Sequence, residues 1–160
     1  MTDATQLRNL VTYNQWANEK ILKAIDGMTP DELDRPVDAY IGSLARNLQH
    51  ILGATRIWLA RWKGEPTPKF DGPMPLSWRD AYATAHAELW AFAEPLTDAA
   101  AARVVSYKDS RGNPHETPLG QLITHVVNHG TAHRAETGML LERLGRSPGD
   151  MDYIVFLRQK

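Results

Sequence analysis

From Thr5 onward the apolar positions recur with a helical period rather than a strand period. Leu7, Leu10, Val11, Asn14, Ala17, Ile21, Leu22 and Ile25 share one stripe, which predicts a first amphipathic helix ended by Gly27 and Pro30. "TPDELDRPVDAYIG" then reads as a polar connector holding two prolines. A second helix opens at Ser43, whose hydroxyl suits an N-cap, and runs to Trp62 or Lys63 before Gly64. "GEPTPKFDGPMP" holds four of the ten prolines and is loop. Ser77 and Asp80 form a start resembling a capping box for a third helix that Pro95 stops after about Glu94.

The only β-like stretch follows. Val104, Val105 and Tyr107 precede a Ser-Arg-Gly-Asn turn signal, predicting a short hairpin or an extended crossover. Thr117 and Pro118 read as an N-cap and first-turn pair, and the fourth helix runs from there to Leu144 with Gly145 as its C-cap. "DMDYIVFLR" closes the chain as a short helix or extended tail. The expectation is an all-α fold: a four-helix bundle with a long crossover and a short β-like insertion before the last long helix. At 160 residues it forms one domain, residues 1–160, with enough chain for its own core.

Composition narrows the function by exclusion. The formal net charge is -1, so no basic excess points to nucleic acid. No apolar run is long enough for a membrane span, and "MTDATQLRNL" lacks the basic start and apolar centre of a secretory signal. A soluble, cytoplasmic protein is expected. Cysteine is absent, which leaves imidazole, carboxylate or backbone oxygen to hold any metal.

The chemistry of interest is "HVVNHGTAH", where His125, His129 and His133 stand four residues apart and make up half of the six histidines. They are not equivalent. At about 100° per residue, Leu119, Leu122, Ile123, Val126, Leu140, Leu141 and Leu144 fall within about 60° of one direction. On that wheel His133 lies about 40° from the centre, His129 about 80° and His125 about 120°. His129 and His133 therefore lean inward and His125 faces water or a rim. Gly130 and Thr137 lie near the stripe centre, where small residues leave room beside His133. Two imidazoles at i and i+4 can share an ion, although such a pair is as readily two unrelated histidines. The box lacks the glutamate of H-E-x-x-H, which argues against a zinc protease. A third ligand is needed, and periodicity does not choose between His50 and His86.

"NLQHILGATRIWLARWKGEP" and, further on, "LGQLITHVVNHGTAHRAETGMLLERLG" resemble the DinB/YfiT-like family of proposed metalloenzymes. The opening "LVTYNQWANEKIL" and the closing "SPGDMDYIVFL" extend the resemblance over essentially the whole chain. It implies a four-helix bundle in which His50, His129 and His133 bind a divalent ion. It also implies a homodimer, with Trp58 and Trp62 as candidate anchors. Three neutral imidazoles suit Zn²⁺ or Ni²⁺ and leave a coordination position open. Such an ion can generate hydroxide for hydrolysis or hold a thiolate. The resemblance puts a thiol-dependent transferase acting on a small molecule, with a low-molecular-weight thiol as partner, ahead of a hydrolase or a non-catalytic stress-response protein. Asn47, one turn before His50, is a candidate to orient a ligand. Glu136 reads as a solvated helix carboxylate, and Arg134 as structural. Tyr153 and Phe156 either cap the bundle or line a pocket mouth.

Overall fold

A computed structural model describes residues 3–37, 42–69 and 74–159. Residues 38–41 and 70–73, parts of the two proline-bearing connectors, lie outside that description. The chain is mostly helical, with helices α1 (Ala4–Ala24), α2 (Pro30–Asp34), α3 (Leu44–Lys63), α4 (Trp78–Ala93), α5 (Asp98–Ala102), α6 (Leu119–Arg143) and α7 (Tyr153–Leu157). Two strands, β1 (Val104–Lys108) and β2 (Pro114–Pro118), form an antiparallel hairpin before α6. No helix among the described residues is long and apolar enough to cross a membrane.

The helix ends follow local chemistry. Ser43 Oγ accepts the Arg46 N–H at 3.1 Å to start α3. Gly64 ends it with φ at 70°, a left-handed turn that favours glycine, and the next N–H reaches back to the Ala60 carbonyl. Ser77 starts α4 in the same way, accepting from Asp80 N–H. The connector after α1 contains a helix that periodicity did not predict. In α2, Thr29 and Glu32 cap each other reciprocally, each side chain accepting the other's backbone N–H. The single turn of α5 was also unforeseen, since five residues are too few for a periodic signal.

Thr117 is not the cap of α6. It lies inside β2, paired with Val105, and Pro118 takes the cap position without a side-chain bond. The Leu119 N–H is satisfied instead by the Arg103 carbonyl at 2.9 Å, so the strand runs straight into the helix. At the far end, Leu144 belongs to the apolar stripe by angle but is the C-cap and is 48% exposed.

Helices α1 and α3 each pack against both α4 and α6. The core between them has two apolar ends. One gathers Ile21, Leu44, Leu48, Tyr82 and Leu141; the other gathers Leu7, Leu59, Trp62, Leu89 and Ile123. Between these ends Asn14, Thr55 and His86 line one small cavity, and Asn14 accepts from the buried Arg134, which makes a polar layer. Trp62 is 3% exposed and packs at a tilt against the Phe92 ring, so it is a core residue and offers no anchor for a partner. Phe156 and Tyr153 pack edge-on against Tyr13, on the side of α1.

Arg134 is 1% exposed. Its Nη1 donates to Asn14 Oδ1 at 2.6 Å and Asn18 Oδ1 at 3.0 Å, its Nη2 donates to Thr131 Oγ1, and its guanidinium lies over the Tyr13 ring. A Cβ on Gly130 would sit 2.8 Å from Arg134 Nη1 and 3.0 Å from Asn14 Oδ1. The space at Gly130 is therefore occupied by the arginine network. Alanine for glycine in an exposed helix gains up to about 1 kcal/mol. Here Gly130→Ala is expected to lose about 1–3 kcal/mol, as for overpacking of a tight core. Urea unfolding checks this, and unchanged or increased stability contradicts it.

Candidate metal centre

Helices α3 and α6 pack side by side, and this brings His50, on a flank of α3, to His129 and His133. The three ring centroids are 4.9, 4.4 and 4.4 Å apart, and one nitrogen from each lies within 4.8 Å of the others. His50 Nε2 and His129 Nε2 are 3.0 Å apart. Two nitrogens at about 2.0 Å from a tetrahedral zinc would be about 3.3 Å apart, so the donor set fits a small divalent ion. His125 does not join. It is exposed, its ring is 6.0 Å from that of His129, and it meets the Trp58 ring edge-on at 5.3 Å. His86, on α4, lines the small cavity with Asn14 and Thr55 and is not part of the group of three.

The surrounding residues act mainly on His133. Glu136 Oε2 is 2.7 Å from His133 Nδ1. A proton held on Nδ1 by this carboxylate leaves Nε2 as the free donor atom, the usual arrangement of a ligating histidine and its carboxylate. The wheel had placed Glu136 about 100° from the stripe centre and favoured solvent. An i,i+3 glutamate can nevertheless lean back over the preceding turn, and that spacing was the available signal.

Asn47 uses both amide protons on α6. It donates to the His133 carbonyl and to Thr137 Oγ1, each at 2.9 Å, while Thr137 Oγ1 donates to the same carbonyl at 2.8 Å. Asn47 and Thr137 thus hold the backbone beneath His133. Gly130 faces Arg134 and Asn14.

Burial, above all, lowers the pKa of His50, with His133 adding to the shift. The same causes in the same order, with His50 and His125 contributing further, bring His129 down to about 4. Charging one imidazole beside two others in a half-buried site is unfavourable. Both residues are therefore neutral at pH 7, as metal ligation requires.

The description "DinB family" belongs to a family model that matches residues 1–160. Protein DinB of Bacillus subtilis is 22% identical, over 92% of this chain and 91% of that protein. A DinB-like protein from Bacillus cereus superposes with a TM-score of 0.62 at 22% identity, covering 87% of this chain and 91% of that one. A DinB family member from Shewanella denitrificans gives a TM-score of 0.58 at 17% identity, over 95% and 89% of the two chains. At these identities the solved structures show the fold alone.

Two outcomes follow from this geometry. Glu136→Gln should weaken metal affinity by about 10- to 100-fold, the usual effect of losing a carboxylate behind a ligating histidine. Competition with a chelating dye measures it, and an unchanged affinity counts against the pair. The second outcome concerns pH. The folded pKa of His129 lies below the ordinary 6.5, so the unfolded chain binds the proton more readily. The stability of the metal-free protein is then kept above about pH 6.5 and lost as the pH falls towards about 4. Thermal melts in chelator should show this loss, with a shallower slope in His129→Gln; an equal slope rejects the assignment.

Proposed function

Because the chain belongs to the DinB family, we propose that it binds one divalent metal ion, Zn²⁺ or Ni²⁺, through His50, His129 and His133. On this reading it is a metal-dependent enzyme acting on a small molecule, with thiol-dependent transfer ahead of metal-dependent hydrolysis. The observation that carries the reading is the convergence of three imidazole nitrogens within 4.8 Å on two helices, backed by a carboxylate on His133. A bound ion with an open position would supply a lowered pKa for water or a thiol. The protein's own part is to keep His50 and His129 deprotonated, to hold the proton on His133 Nδ1 through Glu136, and to fix the α6 backbone through Asn47.

The preference for thiol transfer comes from the resemblance of the histidine box and its flanks. The pairwise packing of α1 and α3 against α4 and α6 supports reading the architecture as a four-helix bundle with a crossover. The homodimer remains part of the reading, with its interface away from Trp62. A non-catalytic metal-binding role is the second reading, and turnover separates it from the first.

The test is metal content of tag-free protein. Wild type should hold about one equivalent of zinc or nickel, His50→Ala, His129→Ala and His133→Ala little, and His125→Ala as much as wild type. Metal loss in all four variants alike would refute the ligand set. Metal-dependent turnover of thiols with electrophiles, or of esters and amides, would then decide between enzyme and binding protein.

A further inference from the structure

The three histidines stand at one end of a continuous row of rings. From His129 the row passes to His125 at 6.0 Å, to Trp58 at 5.3 Å, to Tyr107 of the hairpin at 5.0 Å and to His115 at 5.5 Å. His125 is exposed, and Trp58 and Tyr107 are half-buried, so the row lies along the surface. Over it lies Arg61, its guanidinium carbon 4.7 Å from the Trp58 ring and 5.6 Å from that of Tyr107. Among the described residues Arg61 has neither an ion-pair partner nor a hydrogen-bond acceptor. The guanidinium rests against both rings, and no described residue accepts from its five N–H donors.

A guanidinium stacked on rings is pre-oriented to take a planar carboxylate through two parallel hydrogen bonds. Its place relative to the histidines sets a length. His50 and Trp58 lie on the same helix, eight residues or about 12 Å apart along its axis. Arg61 lies beyond Trp58 but leans back over it.

We propose that the ring row and Arg61 form a substrate subsite for a small carboxylate-bearing molecule. Its body runs past His125 and Trp58, its carboxylate binds Arg61, and its opposite end reaches the metal centre. This rests on the metal-binding reading above and adds the substrate's charge and span. The hairpin is part of the site, because Tyr107 supplies the second ring under the guanidinium.

The experiment uses zinc-loaded, full-length protein and a rigid biphenyl with a metal-binding hydroxamate at one end and a carboxylate at the other. Its carboxamide is the control. By calorimetry the acid should bind about tenfold more tightly than the amide, the scale of one charged hydrogen-bonded contact. In Arg61→Met the two should bind equally while zinc content stays the same, and Arg61→Lys should keep part of the preference. Equal affinity of acid and amide in zinc-loaded wild type would overturn the subsite and leave the metal reading standing. So would a preference that survives Arg61→Met. Failure of the wild type to take up zinc would overturn both.

Discussion

A positive charge in the middle of the core, Arg134, is the constraint around which the helices are arranged. A buried guanidinium is costly unless its donors are met, and no carboxylate among the described residues meets it. Asn14 and Asn18 on α1 meet Nη1, Thr131 on its own helix meets Nη2, and the Tyr13 ring lies under the charge, while Nε has no acceptor among the described residues. This fixes how α1 and α6 face each other, and it divides the core into two apolar ends with a polar layer between. Helix α6 is thereby given two working faces at one level. Arg134 turns towards α1, and one residue earlier His133 turns towards α3.

That rotation explains the order of the candidate metal centre. With Arg134 held on one side, His129 and His133 are directed to the α3 seam, where His50 stands, and Asn47 locks the same turn from across the seam. The histidines need not find each other by flexibility. Their spacing is set by the packing of two helices whose rotation is fixed elsewhere, an ordinary route to preorganised ligands.

Much of this was legible in the chain. Ser43 and Gly64 bounded α3 correctly because caps are local chemistry. The wheel separated His125 from its two neighbours because exposure on a straight helix follows angle. His50 came from the family resemblance, because it sits on a flank of its helix and periodicity ranks flanks poorly. Glu136 was misjudged, since a wheel records where Cα points and a long side chain can lean back a full turn. Asn14, a lone amide inside an apolar stripe, was the one visible sign of the buried arginine. What it paired with depended on a contact across 120 positions, which local pattern does not carry. Thr117 failed as a cap because strand pairing, a tertiary choice, claimed it first.

The close fit at Gly130 reaches beyond this one molecule. A methyl group there and the guanidinium of Arg134 compete for one volume, and Asn14 serves the guanidinium alone. The three positions therefore make a single heritable unit. In a lineage where residue 130 acquires a side chain, the arginine and its amide partner should have been replaced as well, and the two arrangements should rarely mix.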